Sequence, residues 1–349
     1  MKAHISNNSK IAELHEKLLK VIAIEHSTIP PYLFAYWSIK DRSSETARII
    51  LEITKQEMMH MAMACNILNA TGGVPKCNRP DFIPDYPCAL PGHSETQFPF
   101  VVGLTKLNID SIITFLEIER PRSTMLKLQD PKTQEPIDKG WETIADFYLE
   151  ITALIWGLND TDFNHGKQLK PSDKPDNPGT LFSVYNKSDA IRCIAEILEE
   201  GEGLGLNKSG SEDSHFQRFV TIYREMGGLG DIKNGGFSAK ELKNKVDQTK
   251  YADFMNGIRN ISSNPRILRS NAQGYILENQ RFNSAYSKML DHIQGALTMN
   301  EPSMGDAVKN MFALGRHADA IMSIPIDPEF EENGYCGPTF EYLMPDLRI

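Results

Sequence analysis

Apolar residues recur every three or four positions over most of this chain, the pattern of helices with one buried face. The first stripe runs Leu14, Leu18, Val21, Glu25, Thr28, Tyr32, and the second Ile50, Ile53, Glu57, His60, Ala64, Ile67. They predict helices over about 10–40 and 44–70. The first contains Pro30-Pro31, which removes backbone donors. That pair predicts either a kink just past Glu25 or a helix that ends and restarts. The second helix stops at Thr71-Gly72-Gly73, with Pro75 beyond. Only Lys40-Asp41-Arg42 separates the two, so they form an antiparallel hairpin.

Residues 72–100 are rich in Pro, Asn, Asp and Gly and read as loop. Apolar helical runs follow near 105–119 and 141–157, then a loop over 159–187, then helices over 188–203 and 212–226. Past residue 230, Phe282, Tyr286, Met289 and Ile293 make one stripe and Ala313 to Met322 another, before an aromatic turn at 337–342. The fold class is therefore all-α. The expected organisation is a bundle over 1–230, with crossover helices in about 72–187, and a helical extension over 231–349 packed on the same core.

Two polar residues sit in the middle of the second apolar stripe: Glu57 and His60, a Glu-x-x-His pair. Burying a charge without a partner costs several kcal/mol, and a divalent metal would compensate it. Glu212-Asp213-Ser214-His215 repeats the spacing, with His215, Phe219, Ile222 and Met226 in helical register. Single glutamates with core-facing register are Glu25 in the first helix and Glu202, in line with Ile191, Ala195 and Leu198. Glu196, Glu199 and Glu200 fall off that line and read as solvated. The order Glu, Glu-x-x-His, Glu, Glu-x-x-His is the ligand set of ferritin-like four-helix di-metal proteins. The expected metal ligands are Glu25, Glu57, His60, Glu202, Glu212 and His215, a set suited to two iron or two manganese ions.

Each residue also has a plainer reading. A lone Glu-x-x-His is more often a solvated pair than a ligand pair. Glu212 could be a first-turn helix residue beside Ser211 and Asp213. Glu25 and Glu202 could be buried acids paired to Arg or Lys. Glu119, on a face with Ile112 and Leu116 just before Pro121, is a rival ligand or a residue around the ligands or the substrate; Tyr32 and Tyr148 are expected around the ligands or the substrate. Asp146 and Glu150 are weaker rivals. His4, His15, His26, His93, His165, His292 and His317 have no partner at ligand spacing and read as structural or surface. Methionines 58, 59, 61 and 63 read as core filler.

Composition narrows the class. Apolar residues make up 40% and charged residues 24%, which is ordinary for a globular chain. A net charge of −9 gives no electrostatic footprint for nucleic acid. No apolar run approaches the roughly 18 residues of a membrane span, and Met1 to Lys10 has no secretory h-region. Five scattered cysteines without a CxxC pair read as reduced thiols of a cytoplasmic protein.

Longer motifs carry a resemblance. Glu25-His-Ser-Thr-Ile-Pro-Pro-Tyr-Leu, Gln56-Glu-Met-Met-His60, Asn66-Ile-Leu-Asn-Ala-Thr-Gly-Gly, Thr143-Ile-Ala-Asp-Phe-Tyr148, Glu200-Gly-Glu-Gly203 and His215-Phe-Gln-Arg-Phe219 are similar to ferritin-like proteins related to iminophenylpyruvate dimer synthase. Phe282-Asn-x-x-Tyr286 and Gly-Pro-Thr-Phe340 extend the resemblance to most of the chain. Where that family shows Gln-Gly-Glu-Gly, this chain has Glu200-Gly-Glu-Gly. The resemblance implies a metal-dependent oxidative role in natural-product biosynthesis of the violacein and rebeccamycin kind. The dimer synthases are much longer, so it does not imply their reaction. The expected activity is a dinuclear oxidoreductase or oxygenase acting on an amino-acid-derived small molecule, with O2 or peroxide as co-substrate. A homo-oligomer or a biosynthetic pathway enzyme is the expected protein partner. The alternatives are iron sequestration and a non-catalytic pathway partner.

Overall fold

The computed structural model of the protein describes residues 7–90, 101–121, 144–163, 166–170, 181–202, 214–232, 237–266, 274–298, 304–327 and 331–349. Its described residues form α-helices and short 3-10 turns joined by loops, with isolated β-bridges only. Helix α1 (Asn7–Ser38) runs unbroken through Pro30 and Pro31. Pro31 offers no N–H to the carbonyl of Ser27, one turn back. The Tyr86 hydroxyl donates to that carbonyl instead, at 2.6 Å. A side chain from beyond the second helix thus satisfies the group that proline orphans, and the helix does not end and restart.

Helix α2 (Glu45–Ala70) starts at Ser44, whose side chain accepts from the Ala47 amide. It ends in a Schellman arrangement. Gly73 N donates to Leu68 O and Gly72 N to Asn69 O, with Gly72 at φ +85°, a region where glycine has no Cβ penalty. Helix α3 (Ile109–Ile118) opens with a reciprocal capping box between Asn108 and Ser111. Helices α4 (Ile144–Trp156), α5 (Lys187–Glu202) and α6 (His215–Glu225) follow. The α6 N-cap is Ser214, extended in backbone and accepting from Gln217 N. Then come α7 (Ala239–Asn244), α8 (Gln248–Met255), α9 (Tyr275–Thr298) and α10 (Met304–Ile321).

Helices α1 and α2 pack along each other as the predicted hairpin. Against them, α4 lies on α1 and α5, α5 on α2, and α6 on α2 and α3. The crossover helices α3 and α4 therefore do not stand off the bundle; they complete its far side. Helices α9 and α10 pair with each other.

Two apolar cores result. One joins Leu14 to Ile24 of α1, Met61 to Ala70 of α2, and the inner faces of α4 and α5. The other joins Ile29 to Ile39 of α1, Ala47 to Ile53 of α2, and faces of α3, α6, α9 and α10. On α1 the changeover falls between Ile24 and Ile29, and on α2 between Ile53 and Met61. Glu25, Glu57 and His60 occupy that changeover. No helix among the described residues is long and apolar enough to cross a membrane. All five cysteines are free.

Candidate metal centre

The polar layer between the cores is buried. Glu25, Glu57, His60, Glu119 and His215 are each at most 3% exposed. The α1–α2 hairpin brings Glu25, Glu57 and His60 together from the middles of long helices. Glu119 arrives as the residue capping the C-terminus of α3, and His215 as the first residue of α6. Gly201 on α5 lies beside Glu119: a Cβ there would meet Glu119 Oε2 at 3.8 Å, an ordinary van der Waals contact.

Five side chains make two matching sets around one carboxylate. His60 Nδ1 lies 3.7 Å from Glu25 Oε2 and 3.7 Å from Glu57 Oε1. His215 Nδ1 lies 2.8 Å from the same Glu57 oxygen and 3.6 Å from Glu119 Oε2. The two rings stack at 5.3 Å. A tyrosine holds each outer carboxylate. Tyr148 donates to Glu25 at 2.6 Å, and Tyr32 to Glu119 at 2.6 Å. Thr28 donates to the second oxygen of Glu57 at 3.0 Å. Ligands about 2.1 Å from a shared ion stand about 3 Å apart, and these separations are of that kind. Donors of Glu57, His60 and His215 all lie within 4.8 Å of one another and could hold a metal ion.

The outer imidazole nitrogens are also occupied. His60 Nε2 lies 2.9 Å from Glu200 Oε2 and donates to it, because a carboxylate only accepts. His215 Nε2 lies 3.3 Å from Gln56 Oε1, an atom to which Arg218 also donates at 2.7 Å. Arginine has only donors, so that Gln56 atom is the oxygen and His215 Nε2 carries the hydrogen. In its neutral form His215 therefore turns a bare Nδ1 lone pair into the site. That atom is buried with no hydrogen-bond partner, although a carboxylate oxygen faces it. Two electron-rich atoms that close call for a proton or a metal cation between them. Ligating histidines are held this way, with the outer N–H given to a carboxylate or carbonyl-type oxygen.

The protonation preferences agree. Burial, together with the charges of Glu119 and Glu25, pushes the Glu57 carboxyl well above the usual range. Burial opposes the charged form of His60, yet hydrogen bonds to Glu200 and Glu25 push it up to about 10. Burial would raise Glu25, but His60 and Tyr148 hold it below its ordinary value. Left to itself, the layer recruits protons to offset its carboxylates. Divalent cations would bring the same charge and displace protons as they bind.

Glu25, Glu57, His60 and His215 thus meet in one layer. The Glu202 side chain and all of Glu212 lie outside the described residues, as do His4, His93 and His165. Because Ser214 is an extended cap, the helical face of α6 begins at His215. Glu119, read as a rival, faces His215 directly, while Glu150 turns outward to Lys17 at 2.5 Å. The reading of Glu200 as solvated is corrected. Its side chain is only 17% exposed and bonded to His60, because the buried face of α5 runs through Ala190, Cys193, Ile194 and Ile197 rather than Ile191, Ala195 and Leu198, and Glu200 follows Ile197 on that face. Gln56 went unnoticed; the signal was Arg218, one turn after His215, matched to Glu52, one turn before Gln56. His26 is structural, buried and 2.7 Å from the Tyr286 hydroxyl. Burial pushes it down to about 3, so it is a neutral ring in the core.

Comparison with known proteins agrees with this architecture. A 2-imino-3-(indol-3-yl)propanoate dimerase from Chromobacterium violaceum is 24% identical over 244 residues, 59% of this chain and 22% of that protein. The chain thus spans about a fifth of that relative's length. The crystal structure of a ferritin-like protein from Caulobacter vibrioides superimposes with a TM-score of 0.63 at 20% identity, covering 95% of this chain and 98% of that one. The Ferritin-like family model matches residues 18–224, more than half of the chain and the whole span from α1 to α6 that carries the polar layer. By its helices and by that match, the chain belongs to the ferritin-like family.

Proposed function

We propose that this protein is a dinuclear metal-dependent oxidoreductase acting on an amino-acid-derived imino acid, with iron or manganese as the metal. The observation that carries this reading is the pair of matching sets around Glu57. His60 with Glu25 would hold one ion, His215 with Glu119 the other, and Glu57 would be shared. Oxygen-rich shells with two imidazoles suit iron or manganese. Such a pair of ions supplies redox equivalents and activates O2 or peroxide when bound.

The chain's own residues do the rest. Tyr148 and Tyr32 fix the outer carboxylates, each donating its proton from a hydroxyl oxygen 2.6 Å away. Glu200 and Gln56 set the tautomers, so both Nδ1 atoms face inward. The two apolar cores exclude bulk water from above and below the layer, which strengthens every electrostatic interaction within it. The substrate class is proposed from the C. violaceum relative, whose name specifies an indolyl imino acid.

Metal analysis by plasma mass spectrometry, on protein purified without chelator, tests the reading. About two iron or manganese ions per chain are expected, followed by O2 consumption with aryl-substituted imino acids. A chain that stays metal-free after anaerobic Fe(II) addition would overturn it. Two bound ions with no O2 consumption beyond their own oxidation would point to sequestration instead.

A further inference from the structure

The two matching sets differ in what stands behind each imidazole. His60 is backed by the carboxylate of Glu200 at 2.9 Å. His215 is backed by the neutral amide of Gln56, and behind that amide stands the Arg218 guanidinium at 2.7 Å. Inward of the rings the two sides match closely, each with one tyrosine-held carboxylate and a share of Glu57. The asymmetry of charge therefore lies in the outer partners: Glu200 bonds His60 directly and reaches His215 only through its hydrogen bond with Gln56 and at longer range. A carboxylate behind an imidazole raises its basicity and draws a cation toward the far nitrogen. An amide that already accepts from a guanidinium has less electron density to lend, and the guanidinium's own charge opposes a cation at His215. Glu52, which pairs with Arg218 at 2.7 Å, offsets that charge only from the side away from the site.

We infer that Glu200 and Gln56 are positioning residues that make the two metal positions unequal, so that the ion beside His60 and Glu25 binds first and tighter and the ion beside His215 and Glu119 binds second. The inference rests on the dinuclear reading proposed above. It assigns an order of loading, and to Glu200 a role that its place off the stripe of Ile191, Ala195 and Leu198 hides.

The test is anaerobic titration of the full chain with Mn(II) and Fe(II), followed by calorimetry and by metal counting after desalting. The wild type should show two resolved steps. Glu200→Gln keeps the hydrogen-bond geometry and removes the charge. It should weaken the first step by about 10- to 100-fold and merge it with the second. Gln56→Glu, which Arg218 can still hold, should tighten the second step and narrow the gap from the other side. Far-UV circular dichroism and melting of both variants check that each is folded, and either variant alone suffices to read the effect. Two ions binding in one unresolved step to the wild type would overturn the inference and leave the dinuclear reading standing. Two steps that neither substitution moves would do the same. A wild type that binds no ion would overturn both.

Discussion

The two apolar cores that flank the buried polar layer are built from different materials. The one formed with α4 and α5 is mostly aliphatic and small: Leu14, Leu18, Val21, Ala64, Ile67, Ile151, Cys193 and Ile194. The one formed with α3 and α6 is dense in rings. There Tyr32 meets Phe115 edge-on at 4.6 Å and Phe219 at 5.2 Å, and Trp37 stacks on Phe340 at 5.9 Å. Rings are large and have few rotamers, so the second core locks orientations where the first mainly fills space. The difference follows from what each core must hold. On the aliphatic side Glu25 and His60 come from uninterrupted helices whose backbones already fix them. On the aromatic side Glu119 and His215 sit at helix ends, and the ring cluster around Tyr32 supplies the rigidity that a helix middle would have given.

The comparison can be broken at several places, beginning with the residue both sides share. Glu57→Ala should abolish binding of both ions, whereas Glu25→Ala should spare the ion beside His215; metal counting per chain distinguishes total from half loss. Next in size, Phe219→Ala should cost about 3–5 kcal/mol and Ile194→Val only about 1 kcal/mol. Urea unfolding measures both, and only the first should also disturb loading beside Glu119. Tyr148→Phe and Tyr32→Phe each delete one hydrogen bond to a carboxylate. Each should weaken one ion by about tenfold, corresponding to roughly 1.5 kcal/mol, seen in separate steps of a metal titration. Asn108→Ala removes the α3 cap and should cost about 1 kcal/mol on the aromatic side alone, read by denaturation.

The smallest effect concerns the C-terminal strap that covers the aromatic core. Burial would raise the carboxyl of Asp291, but hydrogen bonds from Arg348, Tyr342 and Asn78 hold it below its ordinary value. A carboxylate lowered on folding stabilises above its unfolded value near 4 and ceases to as pH falls through the folded one. Protection of the Leu343 and Ile349 amides, which donate to Ser287 and Ser284, should therefore fall relative to the intrinsic exchange rate in acid below about pH 4, before the bundle opens.

Legibility in the sequence tracks the same divide. Glu25, Glu57 and His60 could be read from periodicity because their helices are long and keep one register across the site. Glu119 was visible only as a rival, since a residue that ends a helix before a proline has no following turn to show which way it faces. His215 was visible through Phe219 and Ile222 on its own helical face, while Glu212, expected beside it, lies outside the described residues. Glu200 and Gln56 escaped because they lie off the stripes that periodicity singled out. Gln56 stands one residue, about 100°, around α2 from Glu57, and Glu200 lies on the face of Cys193 and Ile197, away from the stripe of Ile191, Ala195 and Leu198. The helical fold itself was legible throughout, apart from the continuity of α1 across its prolines, which depends on a tyrosine more than fifty residues away.

That three of the five residues of the buried layer come from one hairpin has a bearing on assembly order. Glu25, Glu57 and His60 lie on neighbouring helices joined by a short turn, so their meeting closes a small loop at modest entropic cost. Glu119 and His215 must return from far along the chain. During synthesis the hairpin emerges first and can present a nascent half-site before its partners exist. An ion captured there would tether the remaining helices as they arrive, so that maturation of the centre and closure of the bundle become one event.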